Sequence, residues 1–136
     1  MTSNDLGLLH QLTGDFSAAA ASHLEALALY TDHGRLPGQA EVLNSLGELY
    51  DKTGDRALAR EHHARALRIA RDLPARREEA RALEGLGRCH LGSDHRAAEK
   101  CLRQALDIYQ RVGTPDAHRI RAALQELAPT ESFDPS

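Results

Sequence analysis

Residues 39–59, QAEVLNSLGELYDKTGDRALA, decide the fold. Their apolar positions fall at Val42, Leu43, Leu46, Leu49 and Tyr50, the three-and-four spacing of a single helix face. Gly54 then stands where a chain leaves a helix through the left-handed region, and Asp55 stands where a carboxylate caps the next helix. Past this turn, Ala59, His63, Ala66, Leu67 and Ala70 form a second apolar stripe. The segment reads as a helix over about 39–53, a tight turn and a helix over about 55–71.

The same unit recurs on both sides. Leu6-Gly7, Leu46-Gly47 and Leu86-Gly87 are forty residues apart, and Ala19, Ala59 and Ala98 follow in one column, with Ala26, Ala66 and Ala105 in another. Tyr30, Ala70 and Tyr109 share a third column. The turns HQLTGDFSAAA, YDKTGDRALAR and HLGSDHRAAEK align, with the last copy one residue short in its turn. Asp15 and Asp94 therefore take the capping role of Asp55. Pro37, Pro74 and Pro115 mark the starts of following helices, where a missing N–H costs nothing. Mid-helix Gly7, Gly47 and Gly87 are costly unless a neighbouring helix comes close.

Strong helix formers dominate, Val and Ile occur at five positions only, and no segment alternates with period two. The fold class is all-α. Its expected units are helix pairs over about 1–34, 35–73 and 74–113. A capping helix follows over 115–128 with Ile120, Leu124 and Leu127 as its stripe, and then a disordered tail over 129–136. The chain has 136 residues, 41% hydrophobic and 27% charged, which suits one domain with a real core. No apolar run is long enough for a membrane span. The opening MTSNDLGLLH lacks the basic stretch and small-residue cleavage site of a secretory signal. Two cysteines make no disulfide framework, so a reducing cytoplasmic setting is expected. A net charge of −3 argues against a dedicated nucleic-acid binder.

Leu-Gly in the first helix, Tyr or His three residues later, and paired alanines in the second helix resemble the tetratricopeptide repeat. That resemblance implies a right-handed superhelix of helix pairs that binds protein partners without a cofactor. The period of about forty, rather than thirty-four, is similar to the repeats that end many bacterial regulators. Among these are the antibiotic-regulatory activators of actinomycetes and related ATP-binding regulators. Basic residues are nearly all Arg, with only Lys52 and Lys100, as a GC-rich genome would encode. The closing GTPDAHRIRAALQEL looks like the end of such a regulator, and the short first helix suggests a C-terminal fragment or a small stand-alone relative.

No catalytic constellation can be assembled, and no enzyme is expected. Gly85-Leu86-Gly87 begins like a dinucleotide loop, but His90 stands at the third glycine and no strand precedes it. The chain has eight histidines. His10 and His90 occupy the column of Tyr50. His23 and His63 occupy a column usually aromatic in the family, so His10 and His23 would face each other. A zinc site needs a third ligand, which is missing; the reading is polar-tipped packing residues, with His10/His23 and His62/His63 the pairs left open for a metal. Cys89 and Cys101 read as small core residues, with a redox pair as the alternative. Arg65, Arg68, Arg71, Arg76, Arg77 and Arg81 interleave with Glu61, Asp72, Glu78 and Glu79, which reads as a salt-bridged solvent face.

In a helix-pair solenoid the first helices line the concave side. The polar positions off their packing stripes are the candidate partner-binding groove. Asn4, Leu8 and Gln11 come from the first copy, Glu41, Asn44, Ser45, Glu48 and Asp51 from the second, and Arg81, Glu84, Arg88 and Leu91 from the third. A basic segment would suit the middle and an acidic end would suit Arg81 and Arg88. Asn4 and Leu8 stand where the chaperone-binding members of the family need Lys and Asn. The expected ligand is a peptide, a partner protein or another domain of the same polypeptide, with no membrane and no direct nucleic-acid contact. Incompletely covered Leu6, Leu9 and Leu12 make a self-associating scaffold, a homodimer, the alternative.

Overall fold

The computed structural model describes residues 15–132, with side chains through residue 127. They form α1 (Phe16–Asp32), α2 (Leu36–Thr53), α3 (Arg56–Asp72), α4 (Arg76–His90), α5 (His95–Val112) and α6 (Asp116–Ser132). There is no strand among the described residues. Each helix packs on its sequence neighbours, and α2 also reaches α4. The architecture is an all-α solenoid of helix pairs, with α2 and α4 the first helices of their pairs.

Helix boundaries follow the expected chemistry. Asp15, Asp55 and Asp94 each accept a hydrogen bond from the backbone N–H three residues on, at 3.1, 3.2 and 3.1 Å. Each such cap contributes about 1 kcal/mol by satisfying a donor the helix leaves open. Gly54 ends α2 at φ 90°, and the N–H of Asp55 closes the turn on the Tyr50 carbonyl at 2.9 Å. A side chain there would be strained, so glycine is required. Pro37 lies in the first turn of α2 as expected. Pro74 instead lies before the N-cap Ala75, outside α4, and Pro115 occupies the turn that leads into α6. The last helix continues to Ser132, past the end expected at Ala128 and into the stretch read as a tail, because its backbone ladder carries on. Residues 133–136 lie outside the described residues.

The apolar stripes meet where their spacing places them. Val42 and Leu46 pack with Ala26 between α1 and α2, and Leu43 packs with Ala66 and Ala82 where α2, α3 and α4 converge. The largest cluster joins α4, α5 and α6 through Leu83, Leu102, Ile108, Tyr109, Ile120 and Leu127. Alanines pave the contacts between helices, so backbones approach closely with few large side chains. Truncating a fully buried leucine such as Leu102 to alanine removes about 2–5 kcal/mol.

Close approach also explains the mid-helix glycines. A Cβ on Gly47 would lie 2.5 Å from the His63 ring, and one on Gly87 would lie 2.8 Å from Leu102 Cγ. Gly85 faces the same His63 ring. The imidazole is therefore held between α2 and α4, touching glycine backbone on both sides. Gly85 and Gly87 are packing residues in a helix, with no loop for a phosphate.

Candidate functional site

One row on α4, Arg77, Arg81, Glu84 and Arg88, recurs at three- and four-residue intervals and so shares a helix face. Opposite it on α2 stand Glu48, Asp51 and Lys52, and α6 closes the far side with Asp116 and Arg119. Together these helices line a cleft of about 470 Å³.

Two ion-pair clusters hold the cleft together. Arg81 makes a two-pronged pair with Glu48 (2.9 and 3.2 Å) and a second pair with Glu78 (3.0 Å). Burial works against the Arg81 charge, but Glu48 and Glu78 outweigh it and raise its pKa. The second cluster centres on Glu84, which is only 6% exposed. It accepts two hydrogen bonds from Arg119 (2.7 and 2.8 Å), one from Arg88 (2.8 Å) and one from the Tyr109 hydroxyl (3.2 Å). Asp116 grips Arg119 from the other side at 3.0 Å. Hydrogen bonding to Glu84 raises the Arg119 pKa, while burial and then the Glu84 charge raise that of Tyr109. A buried carboxylate survives here because four donor bonds replace its water.

Beneath the cleft lies a buried polar relay. Asn44 donates through Nδ2 to the Glu78 carbonyl and to Glu78 Oε1, both at 3.0 Å, and its Oδ1 lies 2.9 Å from His63 Nδ1. An amide oxygen only accepts, so His63 carries its proton on Nδ1. Burial pushes the His63 pKa down to about 4, with Arg81 and His62 opposing Glu48 and Asp51 around it. His23, fully buried on α1, is shifted the same way by burial, and neither ring nitrogen has a hydrogen-bond partner.

Of the expected groove residues, Glu48, Asp51, Arg81, Glu84 and Arg88 line the cleft. Glu84 is nevertheless buried, and Asn44 and Ser45 lie below the surface at 0% and 3% exposure. These three are corrected from ligand-facing to structural, because α2 and α4 meet along their row. Glu41 is exposed on α2 and Leu91 is 43% exposed at the end of α4; neither lines the cleft. Asn4, Leu8 and Gln11 lie outside the described residues, as do His10, Leu6, Leu9 and Leu12.

The sequence reading missed Lys52, Arg77, Tyr109, Asp116 and Arg119. Arg77 shared the α4 row with Arg81 and Arg88, a signal that was present. The Glu84–Arg119 pair spans 35 residues and leaves no local signal. The arginine-rich stretch is also less paired than expected. Only Arg71 (to Glu79) and Arg81 form ion pairs, while Arg65, Arg68, Arg76 and Arg77 form none with described residues. Cys89 is buried, Cys101 is half-buried, both are free thiols, and burial raises both pKa values. No cluster of three or more potential metal ligands occurs among the described residues.

The fold and cleft define an α-helical repeat protein of the kind that binds other proteins. The sequence matches the tetratricopeptide repeat family over residues 38–111, and the chain belongs to that family. Its fold is similar to that in the crystal structure of BtubC (BKLC) from P. vanneervenii, with a TM-score of 0.70 at 16% identity. The match covers 98% of this chain and 65% of that one, so this chain spans somewhat under two thirds of that structure. No curated protein matches the sequence. No helix among the described residues is long and apolar enough to cross a membrane.

Proposed function

We propose that the chain is a non-enzymatic docking module that captures a segment of a partner protein, or of another domain of its own polypeptide, in the cleft between α2, α4 and α6. The observation that carries this reading is the convergence of these three helices on one charged concavity. Tetratricopeptide domains generally bind protein partners, and their first helices face such a concavity. Resemblance of the forty-residue period to the ends of bacterial regulators favours the sensing or docking part of a transcriptional regulator, working in the cytoplasm. Capture of the segment would shift such a regulator between states in proportion to its preference for one of them.

Photo-crosslinking in cells tests this. A benzophenone amino acid at Asp51 or Arg88 reports the cleft, and one at Arg68 reports the outer face of α3. Adducts from the cleft positions are expected, and mass spectrometry identifies the partner or the domain of the same chain. Adducts from Arg68 alone would refute cleft capture.

A second reading, self-association, draws on exposed Phe16, Leu24, Leu29 and Leu36 at the α1 end of the described solenoid. Light scattering against concentration separates the two: a dimer abolished by Leu24→Glu/Leu29→Glu supports self-association, and a monomer at every concentration excludes it.

A further inference from the structure

The charges at the α6 side of the cleft are not balanced, and this selects a ligand chemistry within the docking function proposed above, on which the inference rests. Arg81 is committed to Glu48 and Glu78. What remains in the lining is Lys52, Arg77, Arg88 and Arg119 against Asp51, Glu84 and Asp116, one positive charge over. Around α6 the charges alternate in a line: Arg77, Asp116, Arg119, Glu84, Arg88. Asp116 is drawn between Arg77 and Arg119, and Glu84 sits between Arg119 and Arg88. The line begins and ends on an arginine.

Those two ends are the groups with hydrogen-bonding capacity left. Arg88 spends only Nη2, on Glu84, and its side chain is 46% exposed. Arg77 is exposed and forms no ion pair with a described residue. Glu84 is the element that makes Arg88 a seat and not a mobile surface charge. Being buried and tied to Arg119 and Tyr109, it fixes the Arg88 guanidinium at the wall of the cleft with its remaining N–H groups free. A guanidinium held in place in this way loses less entropy on binding and offers a fork matched to a carboxylate. Phosphate would bring nearly two charges to a cleft with one to neutralise, whereas one carboxylate closes the balance.

We propose that the cleft receives one carboxylate of a partner peptide on Arg88, with Arg77 as the second cationic flank. The carboxylate comes from an acidic side chain or from a chain terminus, and the two sources are separable by experiment. The probes are random dodecapeptides displayed on phage in two formats, one with a free C-terminus and one without. The folded wild-type protein is the bait, and the enriched peptides are resynthesised for fluorescence anisotropy.

Enriched peptides that carry an acidic residue in both formats assign a side chain; enrichment confined to the free-terminus format assigns the terminus. Replacing that acid by its amide is expected to weaken binding to wild type about tenfold, as is Arg88→Glu in the protein. In the Arg88→Glu protein the amide peptide should bind as well as the acid or better, which a merely structural role for Arg88 would not produce. Circular dichroism confirms that the variant is folded, and Arg77→Glu, exposed and without an ion pair, provides a second variant. Peptides that lose binding to Asp51→Arg but are indifferent to Arg77→Glu and Arg88→Glu would overturn the carboxylate seat and leave cleft docking standing. Peptides indifferent to all three changes, or no enrichment in either format, would overturn both.

Discussion

Gly85→Ala is a one-carbon change whose effect on stability should reverse sign when a second residue is altered. In an ordinary helix interior, alanine for glycine gains roughly 1 kcal/mol of helix propensity. At position 85 the new methyl would instead run into the His63 imidazole, closer than any non-bonded carbon contact allows. The ring cannot swing away. Gly47 lies against it on the α2 side, 2.5 Å from where that residue's own Cβ would be, and Asn44 holds Nδ1 at 2.9 Å. Relief therefore requires α4 to move from α2 and α3, an overpacking cost of about 1–3 kcal/mol. Net destabilisation of about 1–2 kcal/mol is expected after the propensity gain. With the ring removed by His63→Ala, the space is open, and Gly85→Ala should become neutral or stabilising by up to about 1 kcal/mol. Urea unfolding followed at 222 nm, on the wild type, both single variants and the double variant, gives the coupling directly. Equal destabilisation by Gly85→Ala in both backgrounds would refute the contact as the reason glycine stands there.

Three further outcomes follow from the buried polar groups. His63 is neutral in the fold at a pKa of about 4 against an ordinary 6.5, with His23 lowered as well, so the unfolded chain binds more protons between those values. Stability is then fully present above about pH 6.5 and lost as pH falls toward 4, by up to about 3 kcal/mol for His63; a urea midpoint that stays flat from pH 7 to pH 4 contradicts this. Glu84→Gln removes the anchor of Arg119 and Arg88, but both guanidiniums are about half exposed and return to water, so a cost of only about 1–2 kcal/mol is expected. Hydrogen exchange should quicken selectively in α6, and a uniform change along the chain would count against a local anchor. Asn44→Ala leaves His63 Nδ1 and the Glu78 carbonyl without this partner at a cost of about 2 kcal/mol, with Asn44→Ser recovering none of the His63 reach; the measurement is again the urea midpoint.

The helix pairs were legible because their signals are local. Asp15, Asp55 and Asp94 cap through their own third neighbours, and Gly54 turns the chain where two residues suffice to show it. The cleft was legible only in part. Asn44, Ser45 and Glu84 were assigned to a ligand because they are polar and off the main apolar stripe, yet polarity does not reveal depth when two helices meet along that row. A signal was available in their neighbours. Asn44 is followed by Ser45 and Gly47, and Glu84 by Gly85 and Gly87, small residues marking the face of closest approach. Arg119 was out of reach for a different reason: its partner lies two helices back, and nothing in the charge pattern of α6 distinguishes it from Arg121.

The slot around His63 is built from two repeats, Gly47 of its own pair and Gly85 of the next. This makes the order of the units part of the design. A tandem copy of residues 35–73 placed after itself would bring Ser45 to the position of Gly85, and its Cβ would meet the ring that glycine admits. The third pair carries Leu102 against Gly87 where the second carries His63 against Gly47, so a swap of second helices between pairs also mismatches the slot. Repeat proteins are often treated as beads that can be added, dropped or shuffled. In this chain the beads are keyed, each one cut to fit its successor.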